Sequence, residues 1–206
     1  MSTDSKSEWR AFWNERYSEP EPAYGMEPNV FFAEQLQGLP AGRILLPAEG
    51  QGRNALHAAS LGWQVVACDY SEAGRRHALQ AAARQGLDLT YELADLGDPD
   101  SLARVTGQGP FDALGVFYMH LPPREQGPVL GALCGALKPG GRLILELFSP
   151  EQLRYDSGGP RKADMLCDPD ALRKLLQPLL SQVDVRVELT ELHEGPYHKG
   201  TASVVR

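Results

Sequence analysis

The residues with the clearest chemical potential lie in one short loop and in two carboxylates beyond it. Glu49-Gly50-Gln51-Gly52 follows the apolar run Arg43-Ile-Leu-Leu-Pro-Ala48 and precedes a helical pattern from Asn54 to Leu61. Glycine there lets the backbone turn sharply and approach a ligand with no Cβ between them. Asp69 ends the next apolar run, 17 residues after Gly52, where a carboxylate can accept both hydroxyl hydrogens of a ribose. Asp95 follows a third run, in Ala94-Asp95-Leu96, and suits the exocyclic amine of adenine. The plainer alternative is a tight turn with a helix-capping aspartate. The loop also satisfies G-x-G-x-x-A, as Gly50, Gly52 and Ala55, so an NAD-dependent oxidoreductase competes.

A second set of candidates follows the fourth apolar run, in Phe117-Tyr-Met-His120-Leu-Pro122. His120 can serve as a base or polarising donor, or simply bond near a helix start. Arg124 can pair an anion or lie solvated at that start. The turn Glu194-Gly-Pro-Tyr197-His198-Lys-Gly200 spends an aromatic and a histidine on what is otherwise a polar hairpin turn. Gly158-Gly-Pro-Arg-Lys162 reads as a flexible loop or lid. The aromatic helix bearing Trp13 is either core packing or, with Arg16 and Tyr24, a cover over a ligand.

These residues need elements to hold them. Trp9, Phe12 and Trp13, spaced i, i+3, i+4, mark one side of a helix over about Ser7 to Tyr17. A second helix runs through Val30, Phe31 and Leu36. Strands are expected at Arg43–Ala48, Gln64–Asp69, Leu89–Ala94, Phe111–Phe117 and Arg142–Phe148. Helices lie between them, one capped by Ser71 and ended by Gly86 and another opened by Pro122-Pro123. Strands alternating with helices imply a parallel sheet covered on both faces. The C-terminus breaks the alternation. After a helix opened by Asp168-Pro169, strands at Val183–Leu192 and Gly200–Arg206 follow one another without a helix and must pair antiparallel.

Composition bounds the rest. The 206 residues suit one α/β domain, and 42% hydrophobic content is that of a globular protein. A net charge of -7 without a basic stripe argues against a nucleic-acid partner. Cys68, Cys134 and Cys167 lack metal-ligand spacing, so structural roles and no metal are expected. No apolar run reaches the ~18 residues of a membrane span, and Met1-Ser-Thr-Asp-Ser-Lys6 has no leader character. The expectation is a cytoplasmic protein away from membranes.

Six segments in order then carry a family resemblance: Trp13-Asn-Glu-Arg-Tyr17, Tyr24-Gly-Met-Glu-Pro-Asn29, Ala48-Glu-Gly-Gln-Gly-Arg-Asn54, Val66-Ala-Cys-Asp-Tyr-Ser71, Ala94-Asp-Leu96 and Leu137-Lys-Pro-Gly-Gly-Arg142. Together they resemble the class I S-adenosylmethionine-dependent methyltransferases, and within them the tellurite-resistance and thiopurine methyltransferase-like group. The chain departs from that pattern at Leu46, where many relatives carry Asp, and at Ala48-Glu49, where they carry Gly-Cys. The resemblance implies one Rossmann-like domain over 1–206, with a helical cap over 1–40 and a core over 41–206. It implies a seven-stranded, mostly parallel sheet with an antiparallel C-terminal hairpin.

The implied cofactor is S-adenosylmethionine, released as S-adenosylhomocysteine. Gly50 and Gly52 would pass its methionine part, with Tyr24-Gly25 across the sulfonium end and Glu49 a candidate for its ammonium group. Asp69 would bind the ribose and Tyr70 would flank the adenine, whose edge Asp95 and Leu96 would hold; Trp13, Ala94 and Phe117 complete the expected cofactor set. His120 and His198 are the candidate catalytic residues, with His193 an alternative match for the group's histidine. Arg16, Arg124 and Tyr197 are candidate substrate contacts. The acceptor is expected to be a small molecule with a sulfur, selenium or tellurium nucleophile, and the protein a monomer or weak homodimer. A cofactor-binding protein without catalysis is the other alternative.

Overall fold

A computed structural model describes residues 3–206, their side chains from Lys6 onward. In chain order the elements are α1 (Thr3–Arg16), α2 (Val30–Gln37), β1 (Arg43–Pro47), α3 (Arg53–Ser60), β2 (Gln64–Asp69), α4 (Glu72–Gln85) and β3 (Thr90–Leu93). They continue with α5 (Pro99–Thr106), β4 (Phe111–Phe117), α6 (Pro123–Gly135), β5 (Leu137–Phe148), α7 (Pro169–Leu176), β6 (Val187–His193) and β7 (Lys199–Val205). The seven strands form one sheet in the order β3-β2-β1-β4-β5-β7-β6. Five are parallel, and β7 runs antiparallel between β5 and β6. The expected sheet and terminal hairpin are therefore present.

The pleat sorts side chains onto two cores. Ile44 and Leu46 of β1 face one with Phe32, Ala55 and Phe117, while Leu45 faces the other with Leu114, Val116 and Leu133. Helices cover the central strands, so β1, β2 and β4 are apolar almost throughout, whereas edge strand β6 is mostly exposed. Ser71 caps α4, accepting from the Gly74 amide at 3.1 Å, and Gly86 closes that helix at φ +66°.

Several boundaries differ from expectation for identifiable reasons. Helix α1 begins at Thr3 rather than Ser7, because its first turn is polar and carries no apolar mark. Helix α5 was not expected at all. Asp98 caps it by accepting from Ser101 N at 2.9 Å, with Pro99 in its first turn, the same signature that opens α7. Strand β5 starts at Leu137 rather than Arg142: Phe111 pairs with Leu137 and Ala113 with Arg142, so the residues between bulge out of register. Strand β6 starts at Val187 rather than Val183, since Val183 and Val185 pack into the core beside α7 instead of joining the ladder.

Candidate active site

The carboxyl ends of β1 to β4 converge on one side of the sheet, where an open α/β fold offers its crevice. Leaving β1, the chain enters left-handed conformations at Ala48 (φ 53°), Gly50 (φ 57°) and Gly52 (φ 88°) before α3 begins. Ala48 holds that conformation without glycine's freedom, a local cost often found at binding sites. A Cβ on Gly50 would lie 2.6 Å from the Tyr17 hydroxyl, and one on Gly52 would lie 2.5 Å from Ala78 Cβ. The first glycine thus admits Tyr17 of the N-terminal segment, and the second lets α3 start against α4. The buried Glu49 carboxylate accepts from the Ala55 amide at 2.8 Å and so caps α3, whose N-cap Gly52 has no side chain to do so. Burial pushes this carboxyl up to about 7, despite the lowering contacts from Ala55 and Arg53.

Beyond the loop lies a cavity of about 110 Å³ lined by Asp69, Tyr70, Ala94, Asp95, Leu96 and Met119, among others. Asp69 is buried and accepts from Gly50 N at 3.0 Å and Ser71 N at 2.8 Å. No cation pairs it among the described residues, and burial raises its carboxyl to about 6, against those amides. Asp95 is less buried and carries the Lys6 ammonium at 2.9 Å. This pair of acceptors suits a nucleoside: two hydroxyls for Asp69, an N–H for Asp95, and apolar walls between. Lys6 and Trp9 of α1 also line the cavity, so the N-terminal helix covers it.

A larger cavity of about 360 Å³ adjoins it and shares Trp9, Trp13, Tyr17, Ala48, Tyr118 and His120 with the first. Here the structure gathers Arg16, Tyr24, Gly25, Glu49, Phe117, Tyr197 and both candidate histidines. Arg16 stacks on the Tyr197 ring at 3.5 Å. Its Glu19 partner stands off at 3.8 Å and accepts from the Tyr197 hydroxyl instead. His120 lies parallel to Phe148 at 5.8 Å between ring centres, and burial lowers its pKa to about 4, with His198 adding to the effect. His198 is buried, with Nδ1 3.2 Å from Glu194 Oε2; burial lowers its pKa against the raising contact with Glu194. His193 is exposed on edge strand β6 and lines neither cavity. Arg124 is exposed, pairs with Glu125 at 3.5 Å, and is not brought to either cavity. Of the 158–162 loop, Gly158, Gly159 and Pro160 line the larger cavity, while Arg161 turns back onto Asp156 at the surface.

Residues 44–141 match the family model described as a methyltransferase domain. Residues 44–141 therefore carry a methyltransferase domain, in a chain whose fold is shared with S-adenosylmethionine-dependent methyltransferases of known structure. The Gly50, Gly52, Ala55 loop therefore belongs to a methyltransferase, and the oxidoreductase alternative is not favoured. No curated protein matches the chain significantly. Solved structures share its fold at low identity. TehB from Haemophilus influenzae is 16% identical over 86% of this chain and 61% of its own, with a TM-score of 0.68. The N-methyltransferase NodS from Bradyrhizobium japonicum, in complex with S-adenosylhomocysteine, is 13% identical over 95% of both chains, with a TM-score of 0.67. A structure tied to conversion of a disulfide bond into a thioacetal group during echinomycin biosynthesis is 20% identical over 97% of this chain and 89% of its own, with a TM-score of 0.67.

Further polar residues around the cavities were not singled out one by one in the sequence. Glu146 on β5 is buried and accepts from Asn29 Nδ2, Tyr118 Oη and Arg206 Nε, each at 2.6 Å. A charged residue inside the apolar run Leu143-Ile-Leu-Glu-Leu-Phe148 was its visible signal. Tyr118, held at φ 48°, turns its ring into both cavities from the end of β4. Arg53 bridges Glu194 Oε2 at 2.9 Å and the Tyr24 carbonyl at 3.0 Å, tying the loop after β1 to the terminal hairpin. Cys68, Cys134 and Cys167 are free thiols, and burial raises them to about 12, 11 and 12. No described helix is long and apolar enough to cross a membrane.

Proposed function

We propose that this domain transfers the methyl group of S-adenosylmethionine to a small molecule with a sulfur, selenium or tellurium nucleophile. The observation that carries the reading is the pair of cavities sharing one wall at the strand ends: a nucleoside-sized cleft with Asp69 and Asp95, and a larger aromatic chamber beside it. Asp69 would hold the ribose, Asp95 and Leu96 the adenine edge beside Tyr70 and Ala94, and Gly50 the methionine part. Trp13, Tyr24, Gly25 and Phe117 would close over the sulfonium end, where the chamber is aromatic. Cofactor chemistry supplies an activated methyl carbon; the chain's work is to position the acceptor and exclude water.

The likeness in fold to TehB supports the chalcogen reading of the acceptor, and the net charge of -7 favours a small molecule over a nucleic acid. Residues 1–40 act as a lid on the core over 41–206, and the whole as a monomer or weak homodimer in the cytoplasm. Arg16 and Tyr197 meet the acceptor, whereas Arg124 does not.

Calorimetry with S-adenosylhomocysteine and NADH tests the cofactor: micromolar affinity for NADH alone would replace this reading with an oxidoreductase. Product-cofactor release across thiols, selenite, tellurite and small acids tests the acceptor. Tight S-adenosylhomocysteine binding with no turnover of any of them would favour a binding protein. On an active acceptor Arg16→Ala raises KM, and Arg124→Ala leaves it unchanged.

A further inference from the structure

Resting on that reading, we propose that Glu194 and His198 form a dyad in which His198 Nε2 is the base that meets the acceptor. The molecule methylated therefore arrives with a proton on its nucleophile, as a thiol rather than a pre-ionised selenolate or oxyanion. The argument begins with the hairpin. Glu194 and His198 close the β6–β7 turn through a 2.8 Å bond from the Glu194 amide to the His198 carbonyl, which sets both side chains on the same side. The turn is seated by a backbone-to-backbone contact: a Cβ on Gly195 would lie 2.5 Å from Gly25 N. Two glycines thus let the hairpin tip reach the Tyr24-Gly25 wall of the chamber.

Glu194 is over-determined. Arg53 donates to Oε2 at 2.9 Å and Asn29 Nδ2 to Oε1 at 3.1 Å. Burial pushes its carboxyl up, but the His198 and Arg53 contacts outweigh that and hold it below the usual range. A carboxylate fixed as an anion 3.2 Å from Nδ1 requires Nδ1 to carry the hydrogen. That tautomer leaves Nε2 bare. Among the described residues Nε2 has no hydrogen-bond partner, yet it is not sealed, since His57 Nε2 is the only fully enclosed unpartnered side-chain nitrogen or oxygen. It abuts Gly158, where a Cβ would lie 2.6 Å from His198 Cδ2, and both residues line the chamber.

The charged and titratable groups around this ring are Glu194, Arg53, Glu146, Tyr118, Tyr24 and His120. Burial keeps the ring neutral near neutral pH, the state a base needs. His120 is the poorer base, lowered to about 4 and without a carboxylate partner. In the step itself the acceptor's lone pair forms the bond to carbon. The carbon–sulfur pair returns to sulfur, and the acceptor's proton passes to Nε2, where Glu194 stabilises the imidazolium.

The test reads the tautomer first. In ¹⁵N-labelled protein saturated with S-adenosylhomocysteine, long-range proton–nitrogen spectra should show His198 with Nδ1 protonated and Nε2 bare at neutral pH. A proton on Nε2 overturns the proposal with no variant needed. Glu194→Gln should erase the preference and Glu194→Asp should restore part of it. Kinetically, 2-mercaptoethanol, protonated at neutral pH, should lose about 100-fold or more in His198→Gln, while thionitrobenzoate and tellurite, already ionised, change less than about threefold. Equal losses on all three acceptors overturn the dyad, because a merely structural role would not distinguish them. Failure to bind S-adenosylhomocysteine would instead overturn the cofactor reading.

Discussion

Replacing Asp69 by alanine removes a buried acceptor that serves two backbone donors, Gly50 N at 3.0 Å and Ser71 N at 2.8 Å. In the unliganded protein each amide loses its partner in a buried place, at about 1–3 kcal/mol apiece. Melting should then fall by roughly 4–24 °C for a domain of this size. The binding effect is separate. If a ribose donates to the same carboxylate, losing those charge-assisted bonds weakens cofactor binding by about 1–3 kcal/mol, or about 5- to 150-fold in Kd. Asp69→Asn distinguishes the two effects, since it keeps the volume and one acceptor but loses the charge. Titration calorimetry with S-adenosylhomocysteine on both variants, each checked for folding by circular dichroism, measures the loss. pH adds a control. Burial raises the free carboxyl to about 6, while hydroxyl donors favour its ionised form. Wild-type affinity should therefore tighten as pH rises through about 6 and stay flat in both variants. Unchanged affinity in a folded variant would refute the placement of the ribose.

Three other outcomes follow from the same geometry. Gly52→Ala sets a Cβ 2.5 Å from Ala78 Cβ at φ +88°, so it should destabilise by about 2–4 kcal/mol in urea unfolding, and pairing it with Ala78→Gly should recover part of that. Glu49 has a folded pKa near 7 against an ordinary 4.5. The native state therefore binds more protons between those values, and stability without cofactor should fall as pH rises through that window, by roughly 3 kcal/mol in full. Glu49→Gln should flatten that slope in urea midpoints. Lys6→Ala removes a partly exposed pair with Asp95, worth about 0.2–1 kcal/mol; stopped-flow binding of S-adenosylhomocysteine should show faster association with little change in melting temperature.

Much of this site was legible because its parts are local. The turn at Gly50 and Gly52, the caps at Ser71 and Asp168, and the helix stop at Gly86 depend on neighbours within about four residues, and each is where the residues predicted. The sheet and its terminal hairpin followed from the alternation of apolar runs and its interruption. Helix α5 was equally local, opened by Asp98-Pro99 with Leu102 and Val105 behind it, and was legible in principle. Its eight residues carry only a short apolar stripe between two stronger apolar runs.

Other features could not be read along the chain. Asn29 meets Glu146 across 117 positions and Glu194 across 165, and Lys6 meets Asp95 across 89. Sequence alone left His193 and His198 equivalent; the pleat of β6 and the close approach of Gly195 to Gly25 turn only His198 into the chamber. Arg16 and Arg124 were matched as candidates, and packing alone set one against Tyr197 and left the other exposed. The amino-acid order by itself determined the strand–loop–helix unit, its acidic partners and the closing hairpin, because short-range sterics and backbone hydrogen bonding decide those. Which carboxylate stays charged, which histidine has a bare nitrogen and which arginine faces the cavity were decided by the tertiary structure. Burial and the company of distant residues set those properties, and neither exists until the chain has folded.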